Sequence, residues 1–203
     1  MQCKVGFGSQ AMQSFSESQS NPPEISIEQA YSPELISRLR GGSLDAVFAT
    51  RIDGSEDLNH ILVWSQPLVL GVHRENPLSK KKSISVEELC KYEILTYAIT
   101  SPANHSLEEN LPIENMSLKR KYDDEITLSA MVSSDKNKMA LFAIHFSKCF
   151  EDVVCIPIKD LPIDFHKVYL ISRRETHSKV VDDLISFMGA YRFPNSLELG
   201  QIK

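Results

Sequence analysis

The stretch that most limits how this chain can fold runs Leu39-Arg40-Gly41-Gly42-Ser43-Leu44-Asp45-Ala46-Val47-Phe48-Ala49-Thr50, a helix stop fused to an apolar strand. Upstream, Ser32-Pro33 offers an N-cap and a first helical residue, and Leu35, Ile36 and Leu39 make one apolar face before the two glycines end the helix. Downstream, Leu44 to Ala49 is apolar except for Asp45, which predicts a parallel strand covered on both faces. Between Glu24 and Ala30, Ile25 and Ile27 alternate with polar residues and predict a preceding strand. Strand, short helix and strand together form a βαβ unit, so the class expected is α/β.

Size and charge narrow the choice. At 203 residues and 42% hydrophobic the chain can bury a sizeable core, as one large domain or two small lobes. No run approaches the roughly 20 apolar residues that span a bilayer, and the N-terminus lacks a signal-peptide pattern. A cytoplasmic chain with no membrane partner is expected. Cys3, Cys90, Cys149 and Cys155 are too scattered for a disulfide framework, in keeping with a reducing compartment. The net charge of −5 argues against this chain gripping a phosphate backbone itself, since such binding depends on basic surfaces. The basic run Lys80-Lys81-Lys82 reads as a solvated turn.

In order, Cys3 to Phe7 reads as a first strand, and Gly8-Ser9-Gln10 turns it into a helix over about Ala11 to Glu17 with Ser9 as N-cap. Leu58 to Trp64 and Leu68 to His73 read as strands. Past Asn76-Pro77-Leu78 the pattern restarts as a second lobe, with Ser85-Val86-Glu87-Glu88 as a capping box. Glu93 to Tyr97 is a strand, followed by a polar loop through His105 and a helix at Leu107 to Asn110. Leu118 to Tyr122 is a strand, and a helix begins at Thr127. Ala140 to Phe146, Val153 to Ile158 and Val168 to Ser172 are strand-like, and Ser178 opens a helix with Val180, Val181, Leu184, Ile185, Phe187 and Met188 on a broad apolar stripe.

The order of these features resembles the effector-binding (regulatory) domain of LysR-type transcriptional regulators. The resemblance is carried by the opening strand with Ser9, the helix-glycine-Leu44-Asp45-strand signature, and Pro67-Leu68-Val69-Leu70-Gly71-Val72. Asn76-Pro77-Leu78, Ile84-Ser85-Val86-Glu87-Glu88-Leu89, Ile156-Pro157-Ile158 and Val168-Tyr169-Leu170-Ile171-Ser172-Arg173-Arg174 continue it. One segment departs from the family pattern: Val132 to His145 has neither the Gly-x-Gly turn nor the following proline. The resemblance implies two Rossmann-like lobes joined by two crossover strands, a periplasmic-binding-protein-like plan. Lobe I would take residues 1–71 and 167–203 and lobe II residues 72–166, with crossovers near Leu70 to His73 and Lys167 to Tyr169. It further implies a small-molecule effector in the cleft, a homodimer or tetramer, and contact with DNA only through an N-terminal helix-turn-helix domain absent from this chain. In this family the helix equivalent to Pro33 to Arg40 lies at a dimer interface; the alternative is that Leu35, Ile36 and Leu39 face their own lobe. A periplasmic-type solute-binding protein shares the two-lobe plan and is the competing expectation.

Several residues are candidates for chemistry. Gly6-Phe7-Gly8-Ser9-Gln10-Ala11 fits a dinucleotide fingerprint ending in alanine, with Glu28 where a ribose-binding acid would fall. A milder reading gives the backbone N–H groups of Ser9, Gln10 and Ala11, next to Gly8, to an anionic or carbonyl group of an effector; in the other, Ser9 only caps its helix. Thr50 and Arg51 fall at a strand end and suit a carboxylate. Thr96, Thr100, Ser101 and Asn104 bring hydroxyl and amide groups after a second-lobe strand, and Phe142 and His145 are candidate lining residues or core. No nucleophile elbow or metal-ligand spacing among the histidines is present, so no enzyme, cofactor or metal is expected. Asp123-Asp124-Glu125 reads as a helix-dipole feature. Cys149 and Cys155 are close enough in sequence for a switchable disulfide, against which Cys155 lies in an apolar strand.

Overall fold

The computed structural model describes residues 7–101, 103–143, 150–175 and 178–191. In chain order the elements are α1 (Phe7–Ser18), α2 (Ser32–Arg40), β1 (Ala46–Ala49), β2 (Leu58–Gln66), β3 (Leu68–His73), α3 (Val86–Leu89), β4 (Glu93–Tyr97), α4 (Ala103–Asn110), β5 (Ser117–Tyr122), α5 (Glu125–Ser134), β6 (Met139–Ala143), β7 (Val153–Pro157), β8 (His166–Arg173) and α6 (Lys179–Ala190). They form two compact units. Among the described residues, the first combines those up to Trp64 with those from Lys167 to Tyr191, and the second takes Ser65–His166. Among the described residues no helix is long and apolar enough to cross a membrane.

The first unit is built on a three-stranded sheet in the order β1-β8-β2. Because strand side chains alternate between faces, β8 sends Leu170 to one side and Ile171 to the other. Leu170 joins Ala11 and Phe15 of α1 and Leu184 and Met188 of α6, with Trp64 packed at the margin. Ile171 joins Ile36 and Leu39 of α2 with Val47, Ala49 and Leu58. Each face thus has its own helix cover. The glycine stop is a Schellman motif: Ser43 N–H donates to Arg38 O and Gly42 N–H to Leu39 O, with Gly42 at φ 76°.

Four sequence-based expectations fail in this unit. The 24–30 segment forms no strand among the described residues, so the βαβ reading fails: Ile25 packs inward while Ile27 is 64% exposed, the opposite of one shared face. β1 pairs with β8 in antiparallel register, Ala46 opposite Ser172 and Ala49 opposite Tyr169, rather than in parallel. Tyr31, not Ser32, is the N-cap of α2, which moves Ser32 and Pro33 into the first turn. Ile36, only 1% exposed, is core of its own unit, so the interface role proposed for it has no exposed side chain to act through. The expected strand at Cys3 to Phe7 lies outside the described residues except Phe7, which is helical.

The second unit carries a five-stranded sheet in the order β5-β4-β6-β3-β7. β4 runs parallel to β5 and β6, whereas β3 is antiparallel to both β6 and β7. Leu68 to His73, expected as a strand, is β3, and it lies buried between β6 and β7. A single continuous cluster fills this unit, from Leu68, Val69 and Leu70 through Leu89, Ile94, Leu107 and Leu128 to Leu141 and Ile156. Gly71 is required by close packing, because a Cβ there would overlap the ring of Phe142 at Cε1. The Ser85 cap follows its sequence signal, whereas α5 begins at Glu125 rather than at the expected Thr127. Ser85 Oγ accepts from Glu88 N–H at 3.2 Å, and Asp124 accepts from Thr127 N–H at 2.7 Å, which makes Asp124 the cap of α5. α4 begins at Ala103, so Asn104 and His105 are helical rather than part of a loop.

Candidate functional site

In the first unit, α1 is described from Phe7, so Gly8, Ser9 and Gln10 are helical. Ala11 is fully buried. Ser9 is inside the helix and is therefore not its N-cap. The dinucleotide reading loses its setting as well. Gly8 is helical rather than in a strand-to-helix turn, and the Glu28 carboxylate is bound by Arg38 at 2.5 Å.

Thr50 follows β1 directly, and its hydroxyl meets Ser32 Oγ at 3.1 Å. This pairs two hydroxyls from the first turn of α2 and the end of β1. Sequence reasoning assigned Ser32 to capping and did not foresee this contact with Thr50. Arg51 is exposed and lines a surface depression with Glu56, Leu58, Asn59, His60 and Arg174.

In the second unit, the candidates divide by what already holds them. Thr96 is fully buried and donates its hydroxyl to Leu141 O at 3.1 Å, tying β4 to β6. Asn104 accepts from the Arg120 guanidinium, and Glu108 receives hydrogen bonds from both Arg120 and Asn104. Those bonds, Arg120 first, hold the Glu108 carboxyl below the usual carboxylate range. Thr96 and Asn104 are therefore structural in this arrangement. Thr100 is exposed, and Ser101, 8% exposed, anchors the turn through its own backbone, donating to Ala98 O and accepting from Asn104 N–H. Phe142 is 2% exposed and packs its ring against Gly71. Tyr97 Oη accepts from Ala143 N–H at 3.0 Å, closing the end of β4 against that of β6, and burial pushes its phenol far up. His145 and Cys149 lie outside the described residues. Cys155 is buried in β7 with its thiol pushed up to about 12 by that burial, which suppresses the thiolate a redox switch needs.

The chain thus forms two α/β units and passes between them twice, with hydroxyl-bearing residues just past a strand end in each. The family described as LysR substrate binding domain matches residues 7–192, and the chain belongs to it. Its fold is that of the solved effector-binding domains of this family. The effector-binding domain of QuiR in complex with shikimate superposes with a TM-score of 0.79 at 18% identity, over 91% of this chain and 90% of that one. The BenM effector-binding domain with its effector benzoate gives 0.70 at 18% identity, over 95% and 92%. Full-length CbnR complexed with its target DNA gives 0.73 at 14% identity, over 89% of this chain and 63% of that one. No curated protein sequence matches.

Proposed function

We propose that this chain is the effector-sensing regulatory domain of a LysR-type transcriptional regulator, that it carries out no catalysis, and that it works in the cytoplasm as a homodimer or tetramer. Contact with DNA falls to a helix-turn-helix domain outside residues 1–203. The observation that carries the reading is the match to the LysR substrate binding domain over residues 7–192. The solved domains with the same fold hold shikimate and benzoate, which supports a small carboxylate as the effector class. The contacts proposed are the backbone donors of Gly8, Ser9 and Gln10 with the Ser32 and Thr50 hydroxyls in the first unit, and Thr100 and Ser101 in the second. An effector acts by binding one arrangement of the protein better than another, since only differential affinity shifts such an equilibrium.

A thermal-shift screen of small carboxylates tests this, because a ligand selective for the native state raises the melting temperature. Hits are expected among aromatic and hydroxylated acids. They should weaken by at least about tenfold when Thr50→Ala and Thr100→Ala are combined, the size of one or two lost hydrogen bonds to a charged group. Hits that survive undiminished in the double variant reject the contact assignment, and no hit across the screen counts against a carboxylate effector.

A further inference from the structure

The first unit carries a cationic feature outside the contacts proposed for the effector. The depression lined by Arg51, Glu56, Leu58, Asn59, His60 and Arg174 lies wholly within that unit, where the loop after β1 returns to the start of β2 beside the end of β8. Its floor is fixed. Leu58 is buried, and Ser55, fully buried, donates its hydroxyl to Ile52 O at 2.6 Å and meets His60 Nε2 at 3.1 Å. His60 Nδ1 stands 3.2 Å from Leu58 O. The His60 ring thus lies against the Ser55 hydroxyl and the Leu58 carbonyl, with Tyr169 edge-on at 6.0 Å.

The two arginines differ in a useful way. Arg174 is positioned by the backbone, donating Nη2 to Glu56 O at 2.6 Å and Nε toward Leu58 O at 3.5 Å, which leaves Nη1 open. Arg51 makes no hydrogen bond or ion pair with the described residues, and the Asn59 amide makes none either. A guanidinium held by carbonyls keeps its full charge, because carbonyls satisfy donors without neutralising them. Two carboxylates are nearby. Asp57 is committed to Arg40, with Nη2 at 2.5 Å and Nε at 3.0 Å. Glu56 alone is uncommitted and opposes a bound anion. Two guanidiniums against one free carboxylate leave the depression cationic on a chain of net charge −5.

We propose that this depression is a binding site for a small oxyanion, held between the Arg51 and Arg174 guanidiniums with the Asn59 amide as an additional donor. It is a site separate from the one proposed for the effector and does not depend on that reading. Planar guanidinium donors suit carboxylate and phosphate oxygens alike. The experiment uses inorganic phosphate and succinate as probes, with sodium chloride at matched ionic strength as the control. It follows the His60 ring resonances by NMR, since His60 lines the depression. A saturable displacement of those resonances by phosphate, succinate or both is expected, and which probe saturates at the lower concentration identifies the oxyanion class. Arg51→Gln, an exposed and unpaired position, should weaken binding by about tenfold, and Glu56→Gln should tighten it by a few fold. Displacements that are not saturable, or that chloride reproduces, overturn the site. So does binding unchanged in Arg51→Gln or weakened in Glu56→Gln, with circular dichroism confirming that each variant is folded.

Discussion

The two units solve the same packing problem differently. In the second, a five-stranded sheet with β3 at its antiparallel side gathers its apolar side chains into one continuous cluster. In the first, three strands separate two smaller clusters, one under α1 and α6 and one under α2, and adjacent residues of β8 belong to different ones. The lesson is that a narrow sheet with helices on both sides has two half-independent cores, whereas the wider one binds its strands into a single cooperative block. The glycines show the same contrast. Gly42 and Gly54 in the first unit have positive φ and open space around them, while Gly71 in the second has an aromatic ring where its side chain would be.

The largest effects should come from cavities. Leu141→Ala is expected to cost about 2–5 kcal/mol by chemical denaturation, and combining it with Leu70→Ala, its partner across the β3–β6 pair, should be non-additive. Leu170→Ala and Ile171→Ala, though neighbours in sequence, should add to within about 0.5 kcal/mol because they empty separate clusters. Strong coupling between that second pair would break the comparison. Gly71→Ala should cost about 3 kcal/mol through overpacking against Phe142.

A pH effect sharpens the picture of the second unit. Burial pushes the His166 imidazole from its ordinary 6.5 down to about 4, so the unfolded chain binds a proton more readily than the folded one between those values. Its contribution is therefore complete above about pH 6.5 and is lost as pH falls toward 4, on the order of 3 kcal/mol in all. His166→Gln should flatten the stability profile across that window. The smallest change expected is for Gly42→Ala, about 1 kcal/mol from the left-handed backbone alone, since nothing stands within 4 Å of the added methyl. A loss as large as that for Gly71→Ala would mean the first unit is packed as tightly as the second.

What the sequence revealed depended on how local the cause was. β3 and β4 carry their signals in their own short, largely apolar runs, and the sequence places both at their observed bounds. The Ser85 cap and the glycine stop after Arg40 are equally local. The direction of β1 is not, because whether a strand pairs in parallel depends on a partner more than a hundred residues away in β8. The 24–30 segment looked like a strand by alternation, but a ladder needs a neighbour as well as a pattern. At the candidate site, hydroxyl-bearing positions were visible by type. Which were already engaged was not: Thr96 is held by Leu141 O and Asn104 by Arg120, and neither bond leaves a trace at short range in the chain.

Trp64 gives the contrast between the units an optical form. It is the chain's one tryptophan, and it packs at the edge of the first unit's cluster beneath α1 and α6. Indole emission therefore reports on that cluster, while backbone ellipticity sums over both units. A melt followed by the two signals together becomes a measurement of how far the units share their fate: coincident curves mean one cooperative transition, and separated curves assign the emission change to the first unit.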